Sequence, residues 1–390
     1  MKKLLLFLSL LIFEWITLQA QNIKTAVFES GKEGYKSYRI PAIIKLPDNE
    51  LLAFCEGRVN GAGDFGDINI VMKHSSDNGK TWSSLSTIVD ADSLQAGNPA
   101  PVIDRTDPAY PGGRIFLFYN TGNNHEGEVR KGKGLREVWY ITSVDAGVSW
   151  SKPTNITLQV HRPMQPKVNV AYNFNEDWRS YANTPGHALQ IQNGNYRGRI
   201  YIAANHSAGN PKAKAEDYFA HGYYTDDHGK TFHLSETINM PGGNEATAAE
   251  ISNNGLLFNA RNQKGDVKAR IVARSNDGGQ TWSSVTIDKN LPDPVCEGSL
   301  LNIGTKKGKQ LLAFCNAADT MQRNNLTLRI SYDEGITWKL NIPIDKSDDR
   351  KKDYTAYSDL VLVNKKNIGV LYESDNYKAI LFTVISIGNK

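Results

Sequence analysis

Apolar and polar positions along this chain change over in short runs, and no stretch repeats its apolar positions at helical spacing over a convincing length. The runs are of β type: Arg114-Ile115-Phe116-Leu117-Phe118-Tyr119, Arg199-Ile200-Tyr201-Ile202-Ala203 and Ile368-Gly369-Val370-Leu371-Tyr372. Gly113 and Gly198 lead into the first two. Between such runs one polar template, Ser/Thr-x-Asp-x-Gly-x-Ser/Thr-Trp/Phe, recurs five times, at Ser75–Trp82, Ser143–Trp150, Thr225–Phe232, Ser275–Trp282 and Ser331–Trp338. The residue types suit a hairpin turn: Asp accepts from nearby backbone N–H groups, and Gly takes φ > 0 at no steric cost. The closing aromatic can pack the turn onto its sheet. The five Asp residues lie 68, 82, 50 and 56 positions apart, too irregular for a solenoid but suited to sheets with loops of variable length. Short strands, many turns and a repeat near 60 residues predict an all-β protein, a six-bladed β-propeller of four-stranded antiparallel blades.

The N-terminus changes the picture first. Lys2 and Lys3 precede an apolar run from Leu4 to Phe13, broken by Glu14, and Leu18-Gln19-Ala20 offers a small residue for cleavage. This predicts a signal peptide over residues 1–20 and a secreted or periplasmic protein. The run is too short to span a bilayer, and no second long apolar stretch predicts a transmembrane segment. Losing the leader lowers the formal charge from +4 to +3, a balanced surface that argues against nucleic acid or an anionic membrane as partner. Cys55, Cys296 and Cys315 form neither a disulfide framework nor a zinc pattern. Cys55 and Cys315 end near-identical strings, Leu51-Leu52-Ala53-Phe54-Cys55 and Leu311-Leu312-Ala313-Phe314-Cys315, and are expected to be small buried hydrophobes on equivalent strands. No linker divides residues 21–390, so the chain is expected to grow by repetition as one domain.

The repeated turn resembles the Asp box of sialidases, a motif that also occurs in sortilin-type receptors and some plant-polysaccharide hydrolases. Its Asp residues are therefore expected to be structural. A second motif narrows the choice. Tyr38-Arg39-Ile40-Pro41, ahead of the first box, is similar to the Phe/Tyr-Arg-Ile-Pro motif that carries the first carboxylate-binding Arg of sialidases. The chemistry explains such a set. The anomeric carbon of a sialic acid bears a carboxylate, which a fork of arginines holds through charge-assisted hydrogen bonds. That carboxylate repels an attacking carboxylate by about 4 kcal/mol at ~4 Å in a protein site. A neutral Tyr activated by Glu avoids the repulsion. A carboxylic acid must still protonate the leaving oxygen and later activate water.

The resemblance implies the rest of the set, in order. Asp64, in the Gly-rich loop Gly61-Ala62-Gly63-Asp64-Phe65-Gly66-Asp67, matches the acid/base, with Asp67 the competitor in the same loop; Arg58 matches an extra pocket arginine. Glu245 matches the carboxylate that polarises the Tyr, with Glu250 the alternative. Asn253-Asn254-Gly255 is the turn that would bring Glu245 beside Arg261, the second clamp arginine. Arg323 matches the third, ahead of Arg329. Tyr357 matches the nucleophile, with Tyr354 the nearest decoy, and Glu373 matches the carboxylate that holds Arg39. The implied activity is an exo-α-sialidase, a retaining glycoside hydrolase acting on sialylated glycans through a sialyl-tyrosine intermediate, monomeric and without a cofactor. The eight His include no His-Glu-x-x-His, so no metal site is expected. The rival from another class is a sialic-acid-binding propeller without catalysis, which would be expected to lose Tyr, Glu or Asp first.

Overall fold

A computed structural model describes residues 23–349 and 352–388. The segment expected to be a signal peptide lies outside the described residues. What is described is an all-β propeller of four-stranded antiparallel blades. Among the described residues the strands form five hydrogen-bonded sheets. Residues 243–292 and 298–345 each give one four-stranded meander; residues 178–234 give another, with one extra short strand. A fourth combines Thr355–Asn364, Asn367–Ser374 and Ala379–Ser386 with the N-terminal strand Lys24–Glu29, which pairs with Ala379–Ser386 and closes the ring. Residues 37–155 differ from the expected separate blades. Two four-stranded meanders there merge into one eight-stranded sheet, because a single parallel bridge, Ile68–Gln95, joins the third strand of one to the first strand of the next.

The alternation of side chains explains the core. Each sheet is apolar on both faces because it packs against a neighbour on either side, so inner strands such as Leu51–Arg58 are buried throughout. Phe116, Phe118, Tyr223 and Phe232 fill one such interface. Leu312, Phe314 and Leu257 fill another. Cys55 and Cys315 are buried free thiols on the equivalent strands Leu51–Arg58 and Lys309–Ala317, as expected.

The five template turns share one hydrogen-bond scheme. In the first, Gly79 N–H donates to Ser75 Oγ at 2.8 Å, and Thr81 N–H and Oγ1 donate to the two oxygens of Asp77 at 2.9 and 2.8 Å. Asn78 and Gly79 both take positive φ, +61° and +84°, and a Cβ at Gly79 would lie 2.1 Å from the Phe382 ring. Only Gly meets both demands at that position. Trp82 then packs edge-on against Phe382 at 5.6 Å between ring centres.

The first strand of each meander lines the centre of the ring, as contacts between Ser37–Lys45, Thr355–Asn364, Gly298–Lys306 and Gly243–Ile251 show. Asp359 pins these strands together. Its carboxylate accepts from Ile43 N–H, His187 N–H, Ser299 Oγ and His187 Nδ1, at 2.6–2.9 Å, and is fully buried. Among the described residues helix is confined to single turns. Among the described residues no helix is long and apolar enough to cross a membrane.

Candidate active site

The site stands at the leading ends of the central strands, and among the described residues five of those ends carry a register shift, that of Trp178–Asn183 falling between Trp178 and Tyr181. The ladder slips between Arg39 and Ala42, between Gly97 and Ala100, between Gly243 and Ala246, and between Thr355 and Ser358. A bulge inserts an extra residue and re-aims its neighbours. Arg39, Asn98, Glu245 and Tyr357 all sit in or beside such shifts. The first is the most costly locally. Ile40, β-branched, is held at φ +60°, with its N–H donating to Glu373 Oε1 at 2.9 Å and Pro41 following.

Glu373 organises the Arg39 side of the site. Oε1 also accepts from Arg39 Nε at 2.7 Å, and Oε2 accepts from Tyr357 N–H at 3.3 Å. One buried carboxylate therefore fixes the guanidinium, the bulge and the Tyr backbone. Burial alone would lower the Arg39 pKa, but the charge and hydrogen bond of Glu373 outweigh it and the group is held firmly protonated. Among the described residues only Nε of the Arg39 side chain donates a hydrogen bond, and Arg39 lines the cavity.

Tyr357, Glu245 and Arg261 form a closed triangle. The Tyr357 hydroxyl donates to Glu245 Oε1 through a short hydrogen bond. Arg261 Nη1 donates to Glu245 Oε2 at 2.7 Å and to Tyr357 Oη at 3.1 Å. Arg261 Nε is buried without a partner among the described residues. Burial and then the Glu245 charge push the Tyr357 pKa well above the ordinary phenol value, with Arg261 and Arg323 acting the other way. The hydroxyl is therefore protonated at neutral pH, and its proton already points at Glu245. Arg323 completes the cationic wall. Its guanidinium carbon lies 5.5 Å from the Tyr357 ring centre, and Nη1 donates to Tyr377 Oη at 3.1 Å.

The loop carboxylates separate cleanly. Asp64 lines the cavity, its side chain is 82% exposed, and Oδ1 accepts from Arg58 Nη1 at 2.8 Å. Partial burial raises its pKa, but Arg58, Arg39 and Arg323 together bring it below the ordinary value. Asp67 does not line the cavity; its carbonyl accepts from Val59 N–H at 3.0 Å. Arg58 is itself held by Glu56 through two hydrogen bonds of 3.0 and 2.7 Å. The alternatives are all occupied elsewhere. Glu250 accepts from Gln192 and Asn193 backbone N–H groups at 2.8 and 2.9 Å, Arg329 donates to Asn316 at 2.8 Å, and Tyr354 is outside the cavity.

The cavity measures about 190 Å³ and is strongly polar. A larger one, about 450 Å³, opens between the central strands around Ile43, His187 and Glu250, and is lined by none of Arg39, Arg58, Asp64, Glu245, Arg261, Arg323 and Tyr357. Asp104, Asp107 and His228 bring potential ligand atoms together away from the cavity. There Asp104 is committed to Gln190, Thr106 and His228, and Asp107 to Arg114.

Three participants escaped the sequence reading. Glu56 carried a signal, since it lies two residues before Arg58 on one strand and so on the same face. Tyr377, whose ring centre is 4.1 Å from the Arg39 guanidinium, sits on a turn of three successive positive-φ residues with no motif. Asn98 enters through its bulge; its N–H donates to Glu56 Oε1 at 2.9 Å.

The chain is 30% identical over 364 residues to a sialidase of Micromonospora viridifaciens, covering 88% of this chain and 51%, about half, of that protein. It is 27% identical over 389 residues to an exo-alpha-sialidase of Arthroderma benhamiae, covering 94% and 85% of the two chains. The structure of a Hadza microbial sialidase superposes with a TM-score of 0.78 at 25% identity, over 94% of this chain and 68% of that one. The model of the BNR repeat-like domain matches residues 49–370, and the chain belongs to that family.

Proposed function

We propose that this protein is an exo-α-sialidase, a retaining glycoside hydrolase that removes terminal sialic acids from glycans. The observation that carries this reading is the Tyr357–Glu245–Arg261 triangle, in one cavity with guanidinium N–H groups of Arg39 and Arg323 that are unpaired among the described residues. Sialidases among the relatives point the same way. Counting the merged meanders of residues 37–155 as two, we infer six blades, and we assign the five repeated turns to the Asp-box motif. The leader over residues 1–20 supports export.

Arg39, Arg261 and Arg323 hold the substrate carboxylate and place the anomeric carbon over Tyr357. The Tyr357 oxygen attacks that carbon, its proton passes to Glu245, and the bond to the leaving oxygen breaks as Asp64 donates a proton to it. Asp64 starts ionised. The substrate carboxylate offsets the charges of Arg39 and Arg323, two of the three cations that keep the Asp64 pKa low, so binding itself favours the protonated acid. In the second half, Asp64 takes a proton from water, the water oxygen bonds to the anomeric carbon, and the Tyr oxygen leaves and recovers its proton from Glu245. The anomeric configuration is retained through two displacements.

Release of a fluorogenic phenol from its α-sialoside tests the reading. Wild type should turn it over, and Tyr357→Phe should lose at least about 100-fold in kcat, roughly 2.7 kcal/mol of barrier. Sialic acid binding without release would instead favour a lectin.

A further inference from the structure

The larger cavity, about 450 Å³, lies toward the trailing ends of the central strands whose leading ends carry the candidate active site, and the two cavities share no lining residue. Its size falls within the roughly 300–1,000 Å³ of small-molecule sites. The walls are largely apolar: Ile43, Val102, Leu189, Leu301 and Val361 line it, and Leu189 and Leu301 stay partly exposed. Most polar side chains there are already bonded to the protein. Gln190 donates to Asp104 at 2.7 Å and Asn302 to Gln310 at 2.9 Å. Glu250, the one lining carboxylate among the described residues, is held by the backbone N–H groups of Gln192 and Asn193.

His187 is the exception. Gly186, at φ +100°, permits a close approach to Asp359, since a Cβ there would lie 3.0 Å from Asp359 Oδ1. Asp359 then accepts from both His187 N–H at 2.9 Å and His187 Nδ1 at 2.6 Å, which fixes the ring and its Nδ1 proton. The same carboxylate is already taken up by Ile43 N–H, Ser299 Oγ and Leu360 N–H. His187 Nε2 has no partner among the described residues, and the side chain, 11% exposed, lines the cavity. Burial lowers the His187 pKa, but the charge and hydrogen bond of Asp359 outweigh it, so the pKa is raised. In its protonated form the ring sets a cationic N–H donor into an apolar wall.

Two further cations line the cavity, Arg105, which is exposed, and Lys45, which is half-buried. Arg105 Nη2 donates to the Lys45 carbonyl at 3.1 Å and Lys45 Nζ to the Val363 carbonyl, and neither side chain forms an ion pair among the described residues. With His187 protonated, three cationic groups stand against Glu250 alone. A donor facing an apolar cavity loses hydration without gaining a bond unless a ligand brings the acceptor. A carboxylate brings both acceptor and charge, and an apolar body attached to it covers the walls. A neutral ligand lacks the charge, and a small hydrophilic anion leaves the walls wet.

We propose that this cavity is a second binding site, for a small monocarboxylate with an apolar body, whose carboxylate accepts from His187 Nε2 while the body lies against Ile43, Leu301 and Val361. The site stands whether or not the arginine-lined cavity hydrolyses sialosides.

Calorimetric titration of the whole chain at about pH 6, where an imidazole of raised pKa is protonated, tests the site with octanoate, octanamide and acetate. Octanoate should bind wild type with a dissociation constant on the order of 0.1 mM. Octanamide, which lacks the charge, and acetate, which lacks the body, should each bind at least about tenfold more weakly. His187→Gln should weaken octanoate binding by about tenfold or more. Arg105→Glu, at an exposed position, should weaken it by about threefold or more and reads the site even if His187→Gln fails to fold. The arginine-lined cavity is the competing place for a carboxylate, so Arg323→Met is titrated alongside and should leave the octanoate affinity within about twofold of wild type. Three results overturn the site: no octanoate binding below about 10 mM, octanamide binding as tightly as octanoate, or octanoate binding that Arg323→Met abolishes while His187→Gln and Arg105→Glu leave it intact.

Discussion

Glu373 shows how much one side chain can govern. It is 1% exposed and holds Arg39 Nε, Ile40 N–H and Tyr357 N–H, so the Arg39 guanidinium and the Tyr357 backbone share one support. Glu373→Gln keeps the shape but removes the charge opposite Arg39. Breaking a buried ion pair costs about 3–5 kcal/mol, and a loss near the lower end is expected by urea denaturation. A matching fall in kcat/KM should accompany it, because Arg39 no longer has a fixed direction. A variant as stable and active as wild type would show that Arg39 is oriented by something else, such as Tyr377. The residues with chemical identities, namely the arginines, Glu245, Tyr357 and Glu373, were legible in the sequence because their types and order repeat a known pattern. Tyr377 was not, since an isolated Tyr in a polar turn gives no sign of the two arginines it will contact.

At the scale of elements, two devices carry the function: the bulged strand ends and the template turns. The sequence showed the turns, whose Asp and Gly are demanded by local hydrogen bonding and positive φ. It did not show the bulges, which depend on how two distant strands pair. The merged sheet of residues 37–155 was equally illegible, since one backbone bridge has no side-chain signature. The turns make a prediction about acid. Hydrogen bonds from Thr81 above all, with Ser75 and Lys80, hold the Asp77 carboxyl down at about 2, against an ordinary 3.8. A carboxylate whose pKa is lowered on folding stabilises the fold above its unfolded pKa, and the contribution disappears as pH falls through the folded value. The thermal midpoint of Asp77→Asn should therefore lie below that of wild type at neutral pH, and the gap should close between pH 3.8 and about 2. A gap that stays constant down to pH 2 would mean that the charge of Asp77 does not stabilise the turn.

On the proposed reading, proton transfer to the leaving group falls to the loop of residues 60–67. Asp64 reaches the cavity and Asp67 does not, so Asp64→Ala should lose far more activity on natural sialosides than Asp67→Ala. With an aryl sialoside, whose leaving group departs without a proton, the first step should survive in Asp64→Ala and an initial burst of phenol should appear. Azide, which needs no deprotonation, should then restore turnover. Equal losses for the two variants on both substrates, without rescue, would assign Asp64 a structural role only.

Over the whole molecule, the site exists only because the ring closes. Arg39 and Glu373 are 334 positions apart in sequence, and the Lys24–Glu29 strand that seals the last sheet also carries Phe28 into the core beside Tyr38, at 5.4 Å between ring centres. Propeller geometry was legible from the repeat alone, but the use of an N-terminal strand to complete the C-terminal sheet was not, because Lys24–Glu29 bears no template turn. Phe28→Ala empties a fully buried position and should cost about 3–5 kcal/mol in urea denaturation. It should also lower kcat/KM through Tyr38 and its neighbour Arg39. A cost below about 1 kcal/mol would show that the closing strand contributes little.

The central claim is that Tyr357 bonds to the anomeric carbon. A sialosyl fluoride bearing a second fluorine beside the anomeric carbon should label the enzyme, because the good leaving group permits the first step while the electron-poor carbon slows the second. Intact-mass spectrometry should then show one sialyl unit per chain, and digestion should place it on the peptide containing Tyr357. Tyr357→Phe should remain unlabelled. An adduct on any other residue, or turnover of the phenol sialoside by wild type with no adduct formed, would contradict the account.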